Sequence, residues 1–526
     1  MAFEVAYHGV IATDNLLVAA NRHTSSTVPS GKQHGGSLIE SIGTKRDHGK
    51  RVIEQSEWPQ FRGNNSNGLG TGSPPVEFGP GKNELWKTSL PPGHSSPCIS
   101  GNKIFVTTYD KEALTIGVIC LRRNDGKELW TKTIKVKHFE KGHPSFNPAS
   151  SSPCCDGERV VAYFGSYGLV CLDHDGNPLW EKQLPLTKSF GGNALSPIIS
   201  DDKVIIYRGN YVDHYLLCVD ASSGEKIWRV PLTEKITGEM ACTACPIMAG
   251  DKLICHTARS IRAFDVNNGE LIWIAKCATT ATSTPVIVGD DVIVAAWNKL
   301  GEPELRPPFP SFDDLIKEND QNDDERISRK EFPKLWIFHR PEGIEAPQNG
   351  APVSFKRADK NENGNIERDE WVRTTKQLDN FRAGYETHGA LAIPVNSEGL
   401  VGADQVRTLT TRGIPEVPSP VSDGKYLYLV KNGGQLTCLD VKTGKMVYRK
   451  RTGGTGTHYA SPLIADGNLY TIAGNGRISV VQSGESPGIL AVNDMDDEVY
   501  ATPAIVDGVI YLRTHSALYA FAKNGR

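Results

Sequence analysis

The sequence predicts an all-β fold, an eight-bladed β-propeller, on three observations. First, a short phrase recurs: an apolar strand end, an Asp, a polar turn closed by Gly, and a strand ending on an aromatic. Phe264-Asp265 to Gly269 and Trp273 is its fullest copy, repeated from Val219-Asp220 to Trp228, Leu172-Asp173 to Trp180, Leu439-Asp440 to Tyr448 and, as a variant, Leu121 to Trp130. Second, a small or polar residue precedes Pro and an apolar strand at positions 97, 153, 197, 246, 285, 420, 462 and 503. Apart from one interval of 135, these landmarks lie 39 to 56 residues apart, the period of a four-stranded propeller blade. Third, the blade begun at Pro503 stops at Tyr519-Ala520-Phe521-Ala522 without a fourth strand, while Glu84 to Leu90 reads as a fourth strand lacking the other three. Joined, they close the ring and leave no open sheet edge.

Taken in order, residues 1–56 are rich in Ser, Thr, Gly, His and Lys without a sustained apolar period, and read as a disordered N-terminal segment. Glu4, His8 and Asp14 interrupt every apolar run there, so no signal peptide is visible, and no segment is long and apolar enough to span a membrane as a helix. Residues 57–299 hold blades one to five with the closing strand 84–90, and 386–526 complete blade five and supply blades six to eight. One period shows the logic. Pro246-Ile247-Met248 opens an innermost strand, where Pro is tolerated at a first position, Lys252 to His256 is the second, Ser260 to Phe264 the third, and Asn267-Asn268-Gly269 turns into the fourth. Trp273 then falls on the outer strand, in the wedge between blades.

Composition limits the function. The net charge of -3 and pI near 6.5, without a Lys/Arg patch, argue against nucleic acid as a partner. Eleven cysteines, an odd number, leave at least one thiol free. Most fall in strands as small buried hydrophobes. Cys154-Cys155 and Cys242-Thr243-Ala244-Cys245 invite redox or metal readings, but no second C-x-x-C and no C-x-x-C-H haem signature accompanies them.

Trp58-Pro59-Gln60-Phe61-Arg62-Gly63, with the Asp-to-Gly-to-Trp repeats, resembles the quinoprotein-like (PQQ-like) propeller family, and within it a bacterial group opening with W-x-Q-F-R-G. The resemblance covers 57–299 and 386–526. It implies the eight-bladed fold and a periplasmic or cell-envelope location. It leaves activity open, since members include quinone-dependent dehydrogenases and non-catalytic scaffolds of the outer-membrane-assembly type.

The long interval, residues 300–385, reads as a helical insertion joining the second and third strands of blade five. Asp359 to Glu370 matches the twelve-residue EF-hand calcium loop. A hard cation taking six to eight oxygens needs ligands at alternate early positions, a sharp bend, and a bidentate carboxylate from the exiting helix. Asp359, Asn361, Asn363, Asn365 (through its carbonyl), Glu367 and Glu370 take those positions, with the bend at Gly364 and Ile366 pairing across to a partner loop. That loop is residues 320–331, with Asp320, Asn322, Asp324, Arg326 (carbonyl), Ser328 and Glu331 as ligands. It carries Glu325 where Gly is expected, a conformation costing a residue with Cβ roughly 1 kcal/mol. Exiting helices are expected at 332–336 and 371–378.

In an up-and-down blade, loops between strands two and three share a face with loops leading into the innermost strands. The insertion therefore stands over a channel mouth, whose expected ring is His94, Asn147, Asn193, Glu239, Thr282, Glu416, His458 and Glu498. The reading that follows is a monomeric, calcium-binding, non-catalytic scaffold holding a protein, a small molecule or a glycan at this face. A PQQ-dependent dehydrogenase of alcohols or sugars is the alternative, and a hydrolase using the mouth histidines a third, for which no nucleophile and base can be paired.

Overall fold

The computed structural model describes residues 57–234, 241–277, 279–298, 305–339, 350–383 and 387–523, so the N-terminal segment 1–56 and Glu239 lie outside the described residues. Eight sheets make the propeller: seven are antiparallel and four-stranded, and in the fourth blade a short strand, Gly399–Val401, adds parallel to Leu271–Lys276 as a fifth. Blade one, running Cys98–Ser100, Lys103–Asp110, Thr115–Arg122, Glu128–Lys135, sets the pattern, and each landmark Pro immediately precedes or begins the approach to an innermost strand. In blade eight, Glu84–Ser89 lies antiparallel to Ala517–Phe521, with Lys87 opposite Tyr519. The two incomplete ends thus form one sheet.

Burial explains the strand patterns. Second and third strands are covered on both faces by neighbouring blades, so Lys203–Arg208 and Tyr215–Asp220 are nearly continuous buried runs. The outer strands of blades one to four and eight alternate. In Lys226–Pro231, Trp228 is buried between exposed neighbours.

The recurring phrase is a joint between blades. The indole N–H of Trp86, Trp130, Trp180 and Trp228 donates to the carbonyl of Arg123, His174, Ala221 and Val266 in the following blade, at 2.8–3.0 Å. The turn Gly of that following blade lies against the ring. A Cβ on Gly224 would come within 2.6 Å of the Trp180 ring, and one on Gly176 within 2.7 Å of the Trp130 ring. Trp273 donates to Val395 (3.0 Å) of blade five in the same way.

The insertion leaves blade five between Asp291–Ala296 and Gly389–Pro394, which pair with each other. It has its own core, with Phe312, Leu315, Ile327, Ile366, Trp371 and Leu378 buried together. Three helices occur among its described residues, α1 (Phe312–Asn319), α2 (Phe355–Ala358) and α3 (Arg368–Ala383). Ser311 caps α1, its hydroxyl accepting from the Asp314 N–H. Helix α3 includes the expected exit helix at 371–378, but the one expected at 332–336 is absent. Residues 332–335 are irregular and Trp336–His339 is a strand paired with Gly350–Pro352. Pro333 is the cause. It lacks an N–H and disfavours helical backbone at Phe332 before it.

Candidate functional site: a mouth ringed by all eight blades

The residues preceding each landmark Pro are extended, so alternate side chains point the same way. Positions one and three before the Pro face the propeller axis in every blade and line one cavity of about 750 Å³. Position two faces away from it. This register corrects the expected ring: His94, Thr282 and Glu416 line the cavity, whereas Asn147, Asn193, His458 and Glu498 do not. Asn147 instead accepts from the Ala149 N–H (2.9 Å), Asn193 from the Tyr163 hydroxyl (3.1 Å), and His458 lies buried against the Gly456 carbonyl (3.2 Å). Glu498 is exposed.

The position just before Pro builds a belt. The Ser96 N–H donates to Ser152 Oγ (2.8 Å) and the Ser152 N–H to Ser196 Oγ (2.9 Å). The relay continues through Cys245 Sγ (3.2 Å), then Thr284, Ser419, Ser461 and Thr502, each step 3.0 Å. Each bond joins one blade to the next, which is why a small hydroxyl residue is repeated there. Cys245 takes a hydroxyl's place in this ring, while Cys242 packs with Ile198 and Leu253, so the C-x-x-C residues serve separate surroundings. Cys154 and Cys155 also part: Cys154 packs with Val161 and Tyr163, whereas Cys155 turns to Cys98, their sulfurs 2.9 Å apart.

Three positions before Pro, the lining becomes aromatic on one side. His94 stacks on Tyr500 with ring centres 4.5 Å apart, and Tyr459 follows Tyr500 at 5.4 Å. His143 and Phe190 (5.5 Å) extend this surface between blades one and three. Trp297 of blade five and Phe338 of the insertion complete the wall from the blade lying opposite blade one. Burial and the nearby Arg513 guanidinium push the His94 imidazole down to about 4, and burial lowers His143, so both rings are neutral at pH 7. Tyr459, Tyr500, Trp297 and Phe338 were not singled out from sequence. The two tyrosines repeat the offset that His94 and Thr282 occupy, which is the signal that finds them.

Segment 57–72 forms the floor. Trp58 pairs with Ile99, Leu69 bridges to Ile464, and the Cys155 N–H donates to the Pro59 carbonyl (2.7 Å). Phe61 reaches the cavity. Arg62 is fully buried beneath, donating from Nη2 to the Pro420 carbonyl (2.5 Å) of blade six and the Asn67 carbonyl (3.3 Å), and burial lowers its guanidinium to about 9. These are the residues of the W-x-Q-F-R-G segment, here a plug.

The insertion that contributes Phe338 carries the two acidic loops, folded alike. In 359–370, Asp359 Oδ1 and Oδ2 accept from the Asn363 and Gly364 N–H groups (3.1 and 3.0 Å), Asn361 Oδ1 from Asn363 (2.9 Å), and Asn363 Oδ1 from Asn365 (2.8 Å). Glu370 folds back, Oε1 accepting from Lys360 and Asn361 (2.8 and 3.0 Å) and Oε2 from Glu367 (3.1 Å). In 320–331, Asp320 accepts from Asn322 and Glu325 (3.2 and 3.0 Å), Asn322 from Asp324 (3.1 Å), and Asp324 from Arg326 (3.0 Å). Glu331 accepts from Gln321 (3.1 Å) and from the Ser328 N–H and hydroxyl (2.9 and 2.6 Å). The loops pair back to back, Ile327 opposite Ile366 and Ser328 opposite Asn365, with Arg326 3.7 Å from Glu367. Both bends have positive φ, 86° at Gly364 and 58° at Glu325. Glu370, Asp359 and Glu331 are buried. Among the described residues, no three His, Cys, Asp or Glu side chains converge as a metal-holding group.

The outer membrane protein assembly factor BamB of Yersinia pestis is 25% identical over 245 residues, 42% of this chain and 57% of that protein. The same factor of Burkholderia pseudomallei is 23% identical over 232 residues, 42% of this chain and 55% of that protein. The chain thus spans little over half the length of these curated relatives. In fold it is similar to the quinohemoprotein alcohol dehydrogenase of Comamonas testosteroni, with 12% identity, a TM-score of 0.50, and coverage of 90% of this chain and 81% of that one. A family model described as outer membrane protein assembly factor BamB matches residues 78–212, 212–300 and 395–486, leaving the insertion outside the match. That match takes in more than half of the sequence, and the chain belongs to this family of PQQ-like propellers.

Proposed function

We propose that the protein is a calcium-binding, non-catalytic binding propeller of the cell envelope, whose inserted EF-hand pair stands beside a ligand-holding mouth. The observation that carries this reading is the cavity itself, built from two positions in each of eight blades and walled on one side by Phe338 of the insertion. Its histidines do not form a catalytic pair. His94 stacks on Tyr500, and His143 Nδ1 lies 2.8 Å from the Ser145 hydroxyl, in a turn of its own loop.

Calcium is supported by the donor set. Asp320, Asn322, Asp324, Arg326, Ser328 and Glu331 in one loop, and Asp359, Asn361, Asn363, Asn365, Glu367 and Glu370 in the other, stand at the oxygen-ligand positions. The side-chain oxygens of Asp320, Asn322, Asp324, Glu331, Asp359, Asn361, Asn363 and Glu370 turn inward on loop N–H groups, and a buried carboxylate such as Glu370 is the kind of group that a divalent cation stabilises. The location rests on kinship with the assembly factors.

The dehydrogenase alternative takes its support from the fold relatives alone. Pyrroloquinoline quinone carries three carboxylates, and among the described residues no Lys or Arg lines the cavity, so its donor set does not fit that group.

Calorimetric titration of the purified chain with calcium is expected to show binding, weakened at least tenfold by Glu370→Gln with the propeller's thermal transition retained. No calcium uptake, or dye-linked alcohol or sugar oxidation after adding calcium and the quinone, would overturn the reading.

A further inference from the structure

The chemistry of the mouth narrows what it can hold. Among the described residues, its single charged lining group is Glu416. A phosphate, a polyanion or any ligand with several carboxylates would meet no cation among the described lining residues. A lipid chain is equally mismatched. The belt hydroxyls of Ser152, Ser419, Ser461 and Thr502 each accept one backbone N–H, and a hydroxyl that accepts still has its O–H to donate. Among the described residues none of these four O–H groups, on residues 2–3% exposed, has a protein acceptor, and an apolar occupant would leave them unpaired and shut off from water, at about 1–3 kcal/mol each.

What remains is a ligand with flat C–H faces and many neutral hydroxyls. The His94, Tyr500 and Tyr459 rings pack on one another in a row on one side, 4.5 and 5.4 Å between centres, and Trp297 and Phe338 stand on the other. The belt between them and the floor offers hydroxyl donors and acceptors in a circle. The volume of about 750 Å³ lies within the range of built ligand sites and has room for several sugar rings. We propose that this cavity binds a neutral oligosaccharide, with sugar C–H faces packed against these aromatic walls and sugar hydroxyls on the Ser/Thr belt. This rests on the reading of the mouth as a ligand site.

The test titrates the full chain, by calorimetry, with neutral tetrasaccharides of glucose, mannose, xylose and N-acetylglucosamine, and with tetragalacturonate and an uncharged octapeptide as competitors of other chemistry. At least one neutral tetrasaccharide is expected to bind, and Tyr500→Ala and Tyr459→Ala, both only half-buried, to weaken it at least tenfold while the thermal transition stays intact. Binding of no neutral member, equal or tighter binding of tetragalacturonate or the peptide, or affinity unchanged in both variants would overturn the proposal. Each titration is run with calcium and with EDTA. Calcium uptake without saccharide binding sinks this inference alone, and absence of calcium uptake sinks the calcium reading while leaving the cavity's ligand measured.

Discussion

Gly224 and Gly250 both hold positive φ, 71° and 63°, yet their surroundings differ. A Cβ on Gly250 would meet nothing within 4 Å, whereas one on Gly224 would lie 2.6 Å from the Trp180 ring that docks on it. Gly250→Ala should therefore cost only the left-handed strain, about 1 kcal/mol. Gly224→Ala should add displacement of a packed indole, for about 3 kcal/mol in all. Urea midpoints of the two variants check this, and equal losses would show that the Trp–Gly contact is not a joint between blades. The repeated Asp, Gly and Trp were legible because each solves the same local problem in every blade. The cysteines show the limit of residue-level reading. Cys154 and Cys155 adjoin in sequence, but successive strand residues face opposite ways, so Cys155 meets Cys98 across the blade boundary.

The acidic loop pair tests local rules at the scale of an element. Glu325 adopts φ 58° where its counterpart Gly364 has 86°, as the spacing of the two loops requires. Glu325→Gly should relieve strain of about 1 kcal/mol, partly offset by the freer unfolded chain, and should tighten calcium at residues 320–331. Differential scanning calorimetry in EDTA reads the first effect and titration with calcium the second; a lowered transition and weaker binding together would show that the Glu side chain is needed in the loop. The loops, their Ile327–Ile366 pairing and helix α3 follow from short-range spacing and were readable. The exit at 332–336 was not, because Pro333 breaks the helix that the matching loop spacing implies. The mouth was misread for a related reason. Its ring was drawn from polar character, whereas strand alternation counted back from each landmark Pro selects positions one and three regardless of polarity, and so includes Ala194 and Val417.

Closure by Glu84–Ser89 joins the eight blades into one hydrogen-bonded ring, so groups scattered among the blades are expected to titrate against a common unfolding transition. That the ends meet was legible, since each fragment alone leaves an unpaired edge; that the ring buries histidines in neutral form was not, because burial depends on neighbouring blades. His94, His256 and His458 are lowered to about 4 and His388 to about 3, burial being the largest cause in each. For His256 the ring lies between the Ser283 carbonyl (2.7 Å) and the Thr279 hydroxyl (3.0 Å); for His388, Lys431 and Arg306 add to the effect. In the unfolded chain these residues regain a pKa near 6.5. Between about pH 6.5 and 4 the unfolded state therefore binds more protons than the folded one. Stability falls as pH falls through that window, by about 1.4 kcal/mol per pH unit for each proton taken up. Urea denaturation at pH 7.5, 6.0 and 5.0 in EDTA is expected to show a steady loss, with little change from pH 7.5 to 8.5. His256→Asn, which keeps a hydrogen-bonding side chain but does not titrate, should lower the starting stability yet flatten the slope by one proton. A stability independent of pH between 6.5 and 5 would mean that these rings are protonated inside the closed propeller, and that burial between its blades does not keep them neutral.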